Sequence, residues 1–105
     1  MSGGDAGDPL IRQLREQLSD NDVRIVEAVN ARLKLVARLK RVKEERGIGF
    51  LDPAREEWML QYLTRANRGP LSPEGLREIY TELLDLTKRE VGRAEEPPAE
   101  SPTPS

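Results

Sequence analysis

The chain of 105 residues contains no cysteine and no histidine, and only 4% of it is aromatic. Without Cys or His there is no disulfide framework, no thiolate or imidazole metal site, no Ser-His-Asp or Cys-His dyad, and no histidine-held zinc to activate water. Any catalysis must come from carboxylates, Lys, Arg and hydroxyls, and no metal or organic cofactor is expected. An excess of one charge sign is also lacking. The 17 Lys and Arg face 19 Asp and Glu, a formal net charge of -2, and the signs are interspersed, which argues against nucleic acid or a membrane surface as partner. No run approaches the roughly 20 apolar residues of a membrane span. The opening MSGGDAGD lacks the charged-then-apolar order of a signal peptide, so a cytoplasmic protein is expected.

This length allows one small domain, and an apolar share of 36% makes its interior aliphatic and thin. Oligomerisation is therefore expected. Residues 1–8 are rich in Gly and Asp, and 94–105 hold four prolines and no large apolar side chain, so both ends read as disordered tails around a folded window of 9–93. Inside that window apolar residues recur every three or four positions and never every second one, which predicts an all-α fold. The first helix opens with Asp8 as N-cap and Pro9 at N1. Its stripe runs through Ile11, Leu14, Leu18, Ile25, Ala28, Val29, Leu35, Val36, Leu39 and Val42 to about Arg46, where Gly47 suits the position just past a helix end. Ser19-Asp20-Asn21-Asp22 could cap a fresh helix, but no Gly or Pro enforces a break, and a single very long helix is the favoured reading. Asp52-Pro53 opens a second helix carrying Trp58, Met59, Tyr62 and Leu63. Ser72-Pro73 opens a third, ending near Val91 ahead of Gly92.

Some charges fall where a solvated face does not explain them. Arg32 has Ala28, Val29, Leu35 and Val36 as its three- and four-residue neighbours, so its guanidinium enters the apolar stripe. An unpaired buried charge is costly, and the partner is either a carboxylate of the protein or an anionic ligand. Lys43 lies 11 residues further on, a rotation of about 1100°, which returns it to within roughly 20° of Arg32, about 16 Å along the axis. On its own it would be an ordinary surface lysine. Arg15 precedes Arg32 by 17 residues, about 25 Å along the same helix. If both serve one site, Arg15 must come from a second copy of the chain. Arg55 sits in the first turn of the second helix, against the macrodipole, where it is either in a surface ion pair with Asp52 or Glu56 or in another role. Thr87, on the apolar face of the third helix, either bonds its own backbone or lines a site.

Taken in order, Ile11-x-x-Leu14-Arg15, Ser19-x-x-Asp22, Arg32 in its aliphatic stripe, Lys43 eleven residues later and Asp52-x-x-Arg55-Glu56 resemble the all-helical chorismate mutases of the AroQ class. The resemblance covers roughly residues 9–91. It implies an intertwined homodimer whose long helices pair, each site lying mostly in one chain with one arginine donated by the other. It also implies the Claisen rearrangement of chorismate to prephenate in aromatic amino-acid biosynthesis, with neither cofactor nor covalent intermediate. On this resemblance Arg15 of the second copy and Arg32 would clamp the two substrate carboxylates, and Lys43 would donate to the ether oxygen. Asp52 and Glu56 would hold the substrate hydroxyl, while Arg55 and Thr87 complete the lining.

One position departs from the family pattern. Members place Ser or a similar residue on the last helix and, four residues later, a Gln or Glu as second donor to the ether oxygen. Here Thr87 fits the first position, but Val91 stands at the second, with Glu90 adjacent and about 100° away round the helix. The departure points to low intrinsic activity. Two rival readings stand beside the mutase: isochorismate pyruvate lyase, similar in fold and cationic site, and a non-catalytic helical dimer that docks on a shikimate-pathway enzyme. Dependence of the mutase on the first-step synthase of that pathway belongs with the same departure.

Overall fold

The computed structural model describes residues 7–94, and these are entirely helical apart from their connections. Three helices follow in order: α1 (Pro9–Glu45), α2 (Pro53–Ala66) and α3 (Pro73–Ala94). The all-α reading holds, and α1 runs through Ser19–Asp22 without a break. The expected tails, 1–6 and 95–105, lie outside the described residues. The rest divides into two compact units, one up to Lys34 and the other from Leu35 onward.

The helix ends follow from local chemistry. Asp8 Oδ1 accepts the backbone N–H of Leu10 at 2.9 Å and of Ile11 at 3.4 Å, satisfying donors that the first turn leaves open. At its other end α1 closes in a Schellman turn: Ile48 N–H donates to the Lys43 carbonyl at 2.8 Å and Gly47 N–H to that of Glu44 at 3.2 Å. Gly47 takes the left-handed conformation this closure needs, with φ +69°. Asp52 Oδ1 caps α2 by accepting Arg55 N–H at 3.1 Å, and Ser72 Oγ caps α3 by accepting Gly75 N–H at 2.9 Å. Asn67 ties the connection between them, accepting Gly69 N–H and donating to the Leu71 carbonyl, at 2.9 and 2.8 Å.

Gly92 does not end α3, which continues to Ala94. Gly92 is helical rather than left-handed, Val91 is anchored in the interior, and Glu90 and Arg93 bridge across it in an i,i+3 pair of 2.9 Å. Together these outweigh the roughly 1 kcal/mol that Gly costs inside a helix.

In the second unit α2 and α3 pack side by side. Lys88 near the end of α3 meets Glu56 near the start of α2, so the two run antiparallel. The buried apolar side chains among the described residues are Leu60, Tyr80 and Val91, joined by Thr87. On α2 the inward residue is therefore Leu60. Trp58 and Tyr62, apolar positions of the same helix, are largely exposed. No residue of α1 is buried, and Leu10, Leu14, Leu18, Ile25, Leu35 and Leu39 all leave about half or more of their surface open.

Candidate active site

Lys43 belongs to the last turn of α1, and the Schellman closure turns the following loop back over that turn. This lets its half-buried ammonium donate to the Phe50 carbonyl at 3.3 Å. Lys40, one turn earlier, stands 5.7 Å from the Phe50 ring centroid and pairs with Glu44 Oε2 at 2.6 Å. The loop leading to Asp52 is thus held against α1 by two lysines, and the position of the Lys43 ammonium is set by a backbone acceptor.

On α2 the Asp52 side chain serves as cap through one carboxylate oxygen, while its carbonyl accepts Glu56 N–H at 3.1 Å. Arg55 lies over the Trp58 ring, 4.4 Å from guanidinium carbon to centroid, and not against Asp52 or Glu56. Cation–π attraction in place of a carboxylate partner explains how a cation is tolerated at the positive end of a helix. Glu56 instead reaches Lys88 of α3, at 3.5 Å.

On α3 the Thr87 hydroxyl donates to the Leu83 carbonyl at 2.6 Å, the backbone bond open to a threonine on an apolar helical face. Thr87 and Val91, one turn apart, are each only 4% exposed, so they share the inward face. Glu90 lies beside that face with its carboxylate turned to Arg93. The register of α3 thus puts valine, and not Glu90, in line with Thr87.

Arg15 and Arg32 are on α1 in the first unit, Arg15 exposed and Arg32 half-buried among its apolar neighbours. In the second unit Lys43 bonds the loop from Gly47 to Asp52, while Asp52, Arg55 and Glu56 stand at the start of α2, with Arg55 turned to Trp58 and Glu56 to Lys88. Between α2 and α3 opens a groove of about 240 Å³, reached by Glu56, Leu60, Tyr80, Leu84 and Lys88. Sequence reasoning missed Lys88 as the partner of Glu56, because nothing local pairs residues from two helices. It also missed the ladder Arg55, Trp58, Tyr62, whose spacing of three and four was legible.

The fold and candidate site define a small all-α protein with cations at Lys43 and Arg55, carboxylates at Asp52 and Glu56, and neither cysteine nor histidine. Comparison with known proteins narrows this class. Residues 14–91 match the family model described as chorismate mutase type II. The chain is similar to the chorismate mutase of Thermus thermophilus in two solved forms. Form I has a TM-score of 0.71 at 34% identity, covering 73% of this chain and 96% of that one; form II has 0.75 at 31%, covering 82% and 98%. It is also 28% identical over 80 residues to the bifunctional chorismate mutase/prephenate dehydratase of Stutzerimonas stutzeri, and 28% identical over 79 residues to that of Pseudomonas aeruginosa. The chain spans only 22% of the length of these curated relatives, in each case through 70% of its own. The chain belongs to the chorismate mutase type II family, as the resemblance in its sequence implied. Among the described residues, no helix is long and apolar enough to cross a membrane.

Proposed function

We propose that the protein is a cytoplasmic chorismate mutase, an isomerase that converts chorismate to prephenate in aromatic amino-acid biosynthesis. The observation that supports this reading is the family match over 14–91, a span that includes Arg15, Arg32, Lys43, Asp52, Arg55, Glu56 and Thr87, the residues on which the sequence resemblance rests the site. The substrate is a dicarboxylate. Arg32 and Arg15 of a second copy grip its two carboxylates through paired N–H donors, and this grip holds the substrate compact for the pericyclic step. As the ether C–O bond breaks, negative charge grows on its oxygen. Lys43, already oriented by its bond to the Phe50 carbonyl, meets that charge with a hydrogen bond worth about 3 kcal/mol. Asp52 and Glu56 hold the substrate hydroxyl, and Arg55 adds positive potential at the loop.

The working form is a homodimer built on α1. A helix of 37 residues with no buried side chain and a stripe of exposed leucines needs an apolar partner. Val91 favours one addition to this reading. A buried valine in line with Thr87 offers no second donor to the ether oxygen, so intrinsic turnover is low and a partner enzyme, the first-step synthase of the shikimate pathway, raises it.

The test is incubation of the purified chain with chorismate and, separately, with isochorismate. Prephenate from chorismate is the expected product. Pyruvate release from isochorismate alone would replace the mutase by a lyase. Turnover of neither, with or without the synthase, would leave a non-catalytic helical dimer.

A further inference from the structure

We propose that Arg55, Trp58 and Tyr62 form a binding platform on the outer face of α2, and that its occupant is the chain's own acidic, proline-rich segment 95–105. The platform is a continuous stack: guanidinium over indole at 4.4 Å, indole over phenol with centroids 5.4 Å apart and planes within 5° of parallel. Trp58 is 46% exposed and Tyr62 49%, so about half of each stacked aromatic side chain is open to solvent without serving the core, which on α2 is served by Leu60. Flat, exposed Trp and Tyr rings are the surface against which proline-rich extended chains pack, because proline rings lie flat on aromatic rings and lose little entropy on binding.

Segment 95–105 has the complementary chemistry. It carries Pro97, Pro98, Pro102 and Pro104, together with Glu95, Glu96 and Glu100 and no cation, whereas the platform presents the positive charge of Arg55. It also starts in the right place. Because Lys88 faces Glu56 and the helices are antiparallel, the six residues from Lys88 to Ala94 carry the chain about 9 Å past the level of Glu56, and Trp58 is only about 3 Å back along α2. The return of about 12 Å along the axes compares with up to ~34 Å that 11 residues span as extended polyproline helix.

Trp58 is the only tryptophan of the chain, so its fluorescence reports the platform alone. Acrylamide quenching is measured on the full chain and on a full-length variant with Pro97, Pro98, Pro102 and Pro104 each replaced by Gly, with circular dichroism as the check that helix content is equal. We expect the variant to be quenched about twofold more efficiently and its emission to move to the red, since the part of the indole left open by Arg55 and Tyr62 is uncovered. A second variant, Glu95→Lys with Glu96→Lys and Glu100→Lys, is expected to lose the protection as well. Equal quenching in all three chains overturns the proposal, whether Trp58 is open throughout or is covered by something other than the segment. In a further arm, excess Trp58→Phe chain with its segment intact is added to the proline variant. Restored protection there means that a second copy donates the segment, which overturns the assignment to the chain's own. None of these measurements requires turnover, so they stand or fall apart from the proposed activity.

Discussion

Replacing Leu18 by Ala tests the proposed dimer, on which the donation of Arg15 to a second copy's site depends. Leu18 lies in the apolar stripe of α1 and is 61% exposed, so roughly three fifths of its side chain remains for a second copy to cover. Leu→Ala removes three carbons at about 0.8 kcal/mol each when buried, which scaled to that fraction gives about 1.5 kcal/mol per chain. A two-fold interface meets the change twice, for about 3 kcal/mol, or roughly a hundredfold weaker dimer. Sedimentation equilibrium between roughly 1 and 100 μM reads this directly, and the thermal midpoint of the unaltered protein should rise with concentration if folding and pairing are linked. A folded monomer throughout that range, or a dissociation constant that Leu18→Ala leaves within about threefold, would refute the reasoning.

Further outcomes follow from the same geometry. Neither Arg15→Ala nor Lys43→Ala should turn over chorismate measurably alone, but mixed and allowed to exchange they should recover about a quarter of the normal rate, since half the dimers are mixed and each has one intact site; no recovery would mean that Arg15 serves its own chain. Val91→Gln adds a donor in line with Thr87 and should raise kcat by up to about a hundredfold, read by chorismate disappearance; an unchanged rate would show that Val91 does not face the ether oxygen. Gly47→Ala meets no atom within 4 Å yet must hold φ near +69°, so chemical denaturation should report a loss of about 1 kcal/mol from backbone strain alone. Asp8→Ala should cost about 1 kcal/mol by freeing the first-turn N–H groups it accepts, visible as faster hydrogen exchange at Leu10 and Ile11.

Much of this molecule is local and therefore legible in one dimension. Asp8-Pro9, Asp52-Pro53 and Ser72-Pro73 pair a side-chain acceptor with a residue whose fixed φ suits a first turn, and all three helices begin there. Gly47 could be read as a helix stop because only its neighbours' carbonyls and its own left-handed φ are involved. The backbone bond of Thr87 was equally local, as was the spacing that pointed to the family. Tertiary structure decided whatever needs two segments at once. Gly92 has the local signature of an end, yet the burial of Val91 in the interior carries α3 beyond it. Trp58, Met59, Tyr62 and Leu63 form an apolar set in sequence, but the face that α3 covers centres on Leu60, and the two large rings are left to stack outside under Arg55. Glu56 found Lys88, 32 residues away, and Lys43 found the Phe50 carbonyl only because the chain turned back at Gly47. Periodicity records which residues share a face of a helix; what that face meets depends on the packing of a second segment, about which the spacing within the first carries no information.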